Sequence, residues 1–379
     1  MSLIWIVNIL SVFFLCVFFA GIVIPQILLI AFRRRLFDEP DERKIHQCVV
    51  PRLGGMAFKP VVFFSFVLLL AVNVSTGHDE LLKEIGAEAL PLAYAFCAII
   101  MLYLVGIADD LIGVRYRAKF FIQIVCGIML VAGGVELSDL HGMLFIHSMP
   151  SWISIPLTVF VTVFIINAIN LIDGIDGLSG GLALLSLTGF LLCFIHEGIY
   201  TYAILIAGLM GVLTAYLYFN IWGKAEKGHK IFMGDSGSLT LGFILGFLLI
   251  KFAMHNPNVM PYRNNSLLIT YTLLIVPCFD VVRVIITRLK NHYPIFKADK
   301  NHIHHKLMRA GMTQHQALVT ILLLAVAFVV INTAMRPELR SDLVVLIDII
   351  VYTAFQLVTD VFVRRREHGM QHEADCISK

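Results

Sequence analysis

The feature that most constrains this chain is a series of long apolar segments, each about as long as a lipid bilayer is thick. A transmembrane helix needs about 20 mostly apolar residues, and the 379 residues contain about eleven such segments. They lie at about 3–31, 54–73, 90–108, 120–135, 154–169, 178–196, 199–219, 236–253, 266–288, 315–334 and 342–363. Because a helix satisfies its backbone hydrogen bonds internally, we predict an all-α integral membrane protein with about 11 transmembrane helices.

The composition supports the same class of protein. Hydrophobic residues make up 59% of the chain and charged residues 15%, whereas a soluble domain has about 45–50% and about 25%. The first segment is too long for a signal peptide and lacks a basic region before it, so we expect it to remain as a spanning helix. The formal net charge of +3 gives no reason to expect a nucleic-acid partner. The seven cysteines contain no CxxC pair, which argues against a disulfide framework or a zinc site.

The distribution of Lys and Arg predicts the orientation. Alternate loops hold 22 of the 29 basic residues, the other loops hold 5, and Lys59 and Arg283 fall within predicted spans. Cytoplasmic loops are the ones enriched in Lys and Arg. We therefore predict an N-terminus in the periplasm and a C-terminus in the cytoplasm. Residues 1–365 would form one polytopic catalytic domain, and 366–379 a cytoplasmic polar tail.

Five clusters of polar, glycine or histidine residues interrupt the apolar pattern, and all five fall on the predicted cytoplasmic side. They are Pro51-Arg52-Leu53-Gly54-Gly55, Asp109-Asp110, the segment 167–177 with sequence NAINLIDGIDG, Gly234-Asp235-Ser236-Gly237-Ser238, and His302-Ile303-His304-His305-Lys306. Mid-span positions are otherwise almost wholly apolar. This arrangement favours an enzyme at the membrane surface over a transporter, because transporters bind substrates near the middle of the bilayer.

Each cluster also has a purely structural interpretation. Asp109-Asp110 would suit a solvated helix end, although acids there oppose the helix dipole. Asp173 and Asp176 would share one face if helical, or would belong to a polar turn. Asp235 would suit the N-cap of the following helix. A structural ion pair is the favoured interpretation of Asp280 and Arg283, which lie three residues apart in an apolar run.

The histidine cluster alone fits a transition-metal site, a phosphate site or a solvated loop about equally well. The carboxylates change this balance, because five Asp and two Asn side chains are hard oxygen ligands that suit Mg²⁺. Mg²⁺ is commonly held by one or two carboxylates together with substrate phosphates. A phosphate-bearing substrate would account for the basic residues as well as the acidic ones.

These motifs, in this order and spacing, resemble the polyprenyl-phosphate N-acetylhexosamine-1-phosphate transferase superfamily, over roughly residues 1–365. The loop DKNHIHH, residues 299–305, resembles the WecA/TagO branch more than the MraY branch. The resemblance implies a multi-pass protein of the bacterial inner membrane with its active site facing the cytoplasm. It implies transfer of an N-acetylhexosamine 1-phosphate, with GlcNAc as the default sugar, from a UDP-sugar to undecaprenyl phosphate. Mg²⁺ is the implied cofactor, with Mn²⁺ as a substitute, and a homodimer is an open option.

The resemblance also assigns residues that would hold the metal and carry the chemistry. Asp235 of GDSGS corresponds to the magnesium ligand. Asp109 and Asp110 correspond to an aspartate pair that acts as base or lies beside the metal. The histidines of the HIHH loop would contact the diphosphate or the sugar; they are His302, His304 and His305.

Substrate-binding positions follow from the same resemblance. Lys119 would contact a phosphate and Asn170 the diphosphate. Asp173 and Asp176 would lie in the nucleotide loop, with Asp176 near the uracil, and Phe232 would stack on that base. The lipid phosphate would attack the β-phosphorus and UMP would leave, with Lys119, His304 and His305 adding positive charge. A covalent intermediate on an Asp, an MraY-type nucleotide substrate, and a transporter remain the alternatives.

Overall fold

The computed structural model describes residues 2–34, 36, 50–255, 260, 262–263, 265–294, 301–336 and 338–377, with side chains as far as residue 368. Several basic residues that support the predicted orientation lie outside these ranges, among them Arg35, Arg43, Lys44, Lys297 and Lys300. Asp299 and Lys300 of the histidine-loop motif also lie outside them.

Helices form almost all of the described structure. They are α1 Leu3–Arg34, α2 Phe58–Ser75, α3 Glu80–Ala87, α4 Ala89–Ile112, α5 Tyr116–Ala132, α6 Ser151–Ile172, α7 Leu178–His196, α8 Tyr200–Ile221, α9 Asp235–Ala253, α10 Ser266–Leu273, α11 Ile275–Lys290, α12 Ile303–Arg309, α13 Gln314–Met335 and α14 Ser341–Ile377. Strand-like pairing in the described ranges is confined to isolated bridges, such as the one between Asp139 and Ser148. The predicted all-α class is confirmed.

Fewer than eleven described helices reach the length expected of a span. Among the described residues, nine helices are long and apolar enough to cross a membrane, and α10 with α11 would make a tenth. The predicted span at 120–135 corresponds to α5, which has 17 residues and is shorter than the roughly 20 that a bilayer requires. The count of eleven is therefore not confirmed. The orientation, the single-domain boundary at 365 and a homodimer stay predictions, although α14 continues past residue 365 to Ile377.

The predicted span 266–288 is bent by 72° between α10 and α11. Pro277 lies in the first turn of α11 and has no N–H to donate to the carbonyl of Leu273. That carbonyl accepts a hydrogen bond from Ser186 Oγ of α7 instead, at 2.6 Å. The bend thus has a sequence cause, and a neighbouring helix satisfies the backbone group that it frees.

Helix α9 lies at the centre of the bundle and is almost completely enclosed by protein, with 94% of its spanning residues buried. Small residues allow other helices to approach its backbone closely. A Cβ on Gly106 of α4 would lie 2.4 Å from Ser236 Cα, and one on Gly242 would lie 2.7 Å from Ile166 Cα of α6. At the far end, the carbonyl of Ala253 accepts a 2.6 Å hydrogen bond from the His141 ring. The first turn of this helix carries the candidate site.

The interior of the bundle is less uniformly apolar than the sequence suggests. Asn8 and Asn73 exchange hydrogen bonds of 3.1 and 3.0 Å between α1 and α2. Asn332 of α13 donates to Asp348 of α14 at 2.9 Å. Such bonds between helices satisfy polar groups that lipid could not. These residues have structural partners far from the five clusters, so they do not indicate a transport path.

Candidate active site

The first turn of α9 is held by a carboxylate from another helix. Gly234 precedes α9 with φ +73°, which glycine adopts readily. Asp110 of α4 accepts the backbone N–H groups of Asp235 and Ser236 at 2.7 and 3.0 Å. An anion at a helix N-terminus is stabilised by the free N–H groups and the helix dipole. The expectation that Asp235 itself is the N-cap is wrong, because Asp110 supplies that cap. The expectation that Asp110 belongs to a solvated helix end is also wrong, because both of its oxygens accept hydrogen bonds from α9.

Since the backbone bonds of the first turn go to Asp110, the Asp235 carboxylate is available to other groups. Lys119 of α5 donates to Asp235 Oδ2 at 2.8 Å and to Asp109 Oδ2 at 3.1 Å. Asn170 of α6 donates to Asp235 Oδ1 at 3.2 Å and to Ser238 Oγ at 2.8 Å. Helices α4, α5, α6 and α9 thus each bring a predicted residue to one point.

The PRLGG motif forms the wall next to this point. Gly54 N and Gly55 N donate to the carbonyls of Phe232 and Met233 at 2.9 and 2.8 Å, and Phe232 N donates to Pro51 O at 2.9 Å. A Cβ on Gly55 would lie 2.1 Å from the backbone nitrogen of Gly237. The glycine is therefore required by the close approach of the two chains. This pairing fixes the half-buried Phe232 two residues before the start of the Gly-Asp-Ser motif.

The segment between α6 and α7 holds the second pair of aspartates. Asp173 directly follows α6 and is not helical, so Asp173 and Asp176 do not share a helix face. Asp176 Oδ2 pairs with Lys230 Nζ at 2.6 Å. Asn220 of α8 accepts from Gly177 N at 2.6 Å and donates to Ile231 O at 2.8 Å, which joins this segment to the chain leading into α9.

Asp173 experiences the charge of the whole cluster. The residue is half-buried, yet burial of its carboxyl raises the pKa of Asp173 to about 7. Repulsion from Asp235, Asp176 and Asp110 contributes to the same rise in pKa, and the opposing effect of Arg52 is smaller than the effect of Asp235. The carboxylates therefore lie close enough for one to oppose ionisation of another.

The raised pKa makes a prediction for the metal-free protein. A carboxyl with a folded pKa of about 7 and an unfolded pKa of about 3.9 makes the fold less stable as pH rises from about 4 to about 7. Asp173→Asn removes this loss. As pH rises from 5 to 8 in EDTA, the apparent melting temperature of the variant minus that of wild type should therefore increase by at least about 2 °C. Asp79→Asn, in an exposed pair with Lys83, is the control; equal gains in both variants would contradict the assignment.

The histidines lie on α12 and at its start, and they are anchored from α11. Asp280 Oδ2 is 2.8 Å from His302 Nδ1, and Asp280 Oδ1 accepts from Ile303 N at 2.9 Å and from Arg283 at 2.8 Å. The predicted ion pair of Asp280 and Arg283 is confirmed. It has a further role that the sequence does not indicate, because the same carboxylate orients His302 and caps α12.

His304 is the most enclosed of the three histidines. It is 1% exposed, and neither of its ring nitrogens has a hydrogen-bond partner in the described part of the chain. A Cβ on Gly174 would lie 2.1 Å from His304 Nε2, so glycine at 174 makes room for the ring beside Asp173. Burial lowers the pKa of His304 to about 3, with smaller contributions from His305 and His302. His304 is thus a neutral imidazole near pH 7, which can offer a hydrogen bond but adds no full positive charge.

A cavity of about 570 Å³ lies between the Lys119 and Asn170 side chains and the three histidines. Its polar lining includes Lys119, Asn167, Asn170, Arg288 and the three histidines. The remainder is mainly apolar and is formed by side chains of α5, α6 and α11; examples are Phe120, Phe160, Val163, Phe164 and Ile285. The cavity therefore offers a charged end for a phosphate and an apolar side for a hydrocarbon chain.

The oxygen donors of the site fit Mg²⁺ only together with a phosphate ligand. Among the described residues, no three His, Cys, Asp or Glu side chains converge to hold a metal alone. Mg²⁺ usually takes one or two carboxylates and completes its shell with phosphate oxygens and water. Asp235 and Asp109 share Lys119 as a cationic partner, so they attract positive charge at one point. The residues fit Mg²⁺ that arrives with a diphosphate, and they do not fit a closed protein-only site.

Sequence reasoning missed several residues that support the site. Lys59 donates to Ser236 O at 2.6 Å and to Thr240 Oγ1. Lys59 falls within a predicted span, as Arg283 does, and an ionisable residue in a span is a signal of function. Asn220 and Lys230 carry no comparable signal, because their partners are distant in sequence.

Comparisons with known proteins give a consistent picture. Residues 92–253 match the family described as Glycosyl transferase family 4. The chain is 31% identical to a probable undecaprenyl-phosphate N-acetylglucosaminyl 1-phosphate transferase of Bacillus subtilis (strain 168), over 81% of this chain and 79% of that protein. It is 30% identical to the undecaprenyl-phosphate alpha-N-acetylglucosaminyl 1-phosphate transferase of Escherichia coli (strain K12), over 76% and 74% of the two chains. Its identity to the protein of that name from Yersinia pestis is 29%, over 80% and 78%.

Proposed function

Because the chain belongs to the polyprenyl-phosphate N-acetylhexosamine-1-phosphate transferase family, we propose that it transfers GlcNAc 1-phosphate from UDP-GlcNAc to undecaprenyl phosphate. The products are undecaprenyl-diphosphate-GlcNAc and UMP. The relatives' names favour this substrate over the MraY-type nucleotide. The observation that carries the proposal is the bonded set of Asp109, Lys119, Asn170 and Asp235, of which Lys119 and Asn170 line a largely apolar cavity.

The site would act by positioning and by neutralising charge, as enzymes of phosphoryl transfer generally do. Asp235, with Asp109 beside it, would hold Mg²⁺ together with the diphosphate of the UDP-sugar. When bound, Mg²⁺ supplies positive charge that stabilises the leaving UMP. Asn170 orients the Asp235 carboxylate, and Asp110 fixes the turn of α9 from which Asp235 projects.

Lys119 would move its positive charge from the carboxylates to the substrate. In the structure its ammonium lies between Asp109 and Asp235. A divalent cation on these carboxylates would free the ammonium for a phosphate oxygen, which is a stronger partner than either half-neutralised carboxylate. His304, as a neutral imidazole, would donate a hydrogen bond to the diphosphate or the sugar, and His305 lies beside it with ring centres 4.2 Å apart.

The nucleotide would lie near Phe232 and Asp176, on the side of Asp173 away from the histidines. Phe232 is half-buried and offers a flat apolar face for the uracil. Asp176, paired with Lys230, would contact the base edge. The lipid tail would lie against the apolar side of the cavity, with its phosphate toward Lys119 and the histidines.

The nucleophile needs little help from a base. A phosphate monoester has a second pKa near 6, so the acceptor is largely a dianion at neutral pH. Both Asp110 oxygens accept backbone N–H groups, so Asp110 is poorly placed to take a proton. Asp109 accepts from Val114 N at 2.7 Å through one oxygen and from Lys119 through the other. If Lys119 turned to the substrate, that second oxygen would be open either to Mg²⁺ or to a proton, so Asp109 would act as the base only where Asp235 holds the metal without it.

An exchange experiment separates direct transfer from a covalent intermediate. If the lipid phosphate attacks directly, labelled UMP enters UDP-GlcNAc only when the lipid product is present. A phospho-sugar on Asp109 would allow this exchange with enzyme and nucleotide alone. We expect no exchange without lipid, and exchange at the rate of turnover would overturn the direct route.

The function itself is tested by UMP release from purified protein in detergent. We expect release that requires UDP-GlcNAc, undecaprenyl phosphate and Mg²⁺ together, that stops in EDTA, and that Mn²⁺ partly restores. UDP-GalNAc, UDP-glucose and the muramyl-pentapeptide nucleotide complete the panel. Turnover of the muramyl nucleotide alone would replace the proposed substrate, and an absence of UMP with every sugar would contradict the proposal.

The multi-pass architecture fits a lipid acceptor. Together with the three bacterial relatives described above, it supports a location in the bacterial inner membrane. In the predicted orientation the site would open to the cytoplasm. Cysteine labelling from one side of the membrane, at exposed positions such as Arg309 and Leu144, tests the predicted orientation; labelling of both from one side would contradict it.

A further inference from the structure

The histidine helix α12 has only seven residues. A helix this short is not stable alone in water, because too few hydrogen bonds follow its costly first turn. Its position must therefore come from neighbouring elements. One of them is α11, through the Asp280 carboxylate at the start of α12.

The second neighbour is α14, which holds α12 through Lys306. Lys306 Nζ donates to Gln356 Oε1 at 2.9 Å and to Gln356 O at 3.1 Å. It also pairs with Asp360 Oδ1 at 2.8 Å. Lys306 is 6% exposed. All three acceptors lie on α14, so the ammonium is committed to that helix, whereas His304 and His305 line the cavity.

A third contact reaches the end of α12. Arg366 Nη1 of α14 lies 3.3 Å from Met308 O and 3.4 Å from Arg309 O. A cation near the last carbonyls of a helix stabilises that end. Gln356 and Asp360 therefore contact the middle of α12 and Arg366 contacts its C-terminal end. The Asp280 carboxylate contacts its N-terminal end.

We propose that the C-terminal half of α14 positions the catalytic histidines, and that Lys306 of the HIHHK motif is a positioning residue and not a phosphate ligand. Without its ammonium, the carbonyl and amide of Gln356 and the carboxylate of Asp360 lose their shared partner. The α12 helix then loses its polar anchor to α14 and keeps the one from Asp280 and the apolar packing of Ile303 and Leu307 against α13. We expect the His304 ring to be held less firmly against Gly174 as a result. This inference rests on the proposed function only where transfer activity is the readout.

The test compares Lys306→Met with Arg309→Met, which removes a cation from an exposed position of the same helix. Displacement of a catalytic group by about 1 Å can cost about 100-fold in rate, so Lys306→Met should lower kcat by between about 10- and 100-fold. The KM for UDP-GlcNAc should change less than about threefold, because uniform substrate binding is not lost. Lys306→Arg should restore most of the rate, and Arg309→Met should match wild type.

Two further measurements distinguish a positioning residue from a substrate ligand. Modification of His304 by diethyl pyrocarbonate, followed by peptide mass spectrometry, should be faster in Lys306→Met than in wild type, and this readout needs no activity. If Lys306 acts through α14, Asp360→Asn should add little to the loss in Lys306→Met, since residues that act as a unit are not additive. The proposal would be overturned if Lys306→Met raised the KM for UDP-GlcNAc and if the rate losses of Lys306→Met and Asp360→Asn multiplied in the double variant. Lys306 would then be a substrate ligand. Unchanged kcat and unchanged His304 reactivity would also overturn the proposal, whereas an inactive wild type would count against the proposed function alone.

Discussion

Asp235→Asn is expected to lower UMP release by at least about 1,000-fold, which corresponds to a loss of several kcal/mol of transition-state stabilisation. The substitution keeps the shape of the side chain and its bond with Asn170, but it removes the negative charge that Asp235 offers to Lys119 and to Mg²⁺. Helix content and apparent melting temperature should stay close to wild type, because Asp110 and not Asp235 caps α9. Steady-state UMP release at saturating Mg²⁺ measures the effect.

The matched control for this charge removal is Asp79→Asn on α3. Asp79 also pairs with a lysine, Lys83, at 2.8 Å, but both side chains are exposed. We expect wild-type activity from it, because exposed ion pairs contribute little. If Asp235→Asn keeps more than about a tenth of the activity, Asp235 is not the ligand that the metal depends on.

Gly106→Ala is expected to destabilise the fold by about 3 kcal/mol or more, as overpacking of a closely packed site does. The new Cβ would lie 2.4 Å from Ser236 Cα and 2.6 Å from Ser236 N. Both atoms are backbone, so no side-chain rotation relieves the contact. Helix α4 must separate from the first turn of α9, and the bonds from Asp110 to that turn should fail with it.

Gly21→Ala in α1 is the opposite case, because its Cβ would meet no heavy atom within 4 Å. Alanine is favoured over glycine inside a helix by about 0.5–1 kcal/mol, so this variant should equal or exceed wild type. Apparent melting temperature and yield in detergent compare the two. Similar stability of both variants would show that α4 and α9 are not in close backbone contact.

Most of the helices could be predicted from the sequence, because length and hydropathy are sufficient where lipid is the solvent. All eleven predicted segments coincide with helices, from α1 to α14. The details that the segments do not predict have local causes. Pro277 bends the predicted ninth span, and α5 begins in the polar sequence around Tyr116 and is short for a span.

The candidate site could be predicted as a set of residues but not as a set of contacts. The order of the motifs identified the family, and the structure joins Asp109, Lys119, Asn170 and Asp235 directly. Sequence does not specify that Asp110 caps a helix 125 residues away, since a carboxylate has no sequence signature for its partner. The same is true of Asp176 with Lys230, and of Lys306, whose place in a histidine motif suggested a phosphate although its partners are on α14.

The enclosure of α9 has a consequence for how the protein responds to different membranes. Changes in acyl-chain length act on lipid-facing helices, which tilt or shift to match the bilayer. Because α9 is surrounded by protein and is bonded at its two ends by Asp110 and His141, the height of Asp235 is set by its neighbours and not by the lipid. Thinner or thicker vesicles should therefore alter how the long-chain acceptor enters from the side, while the metal-binding turn keeps its geometry.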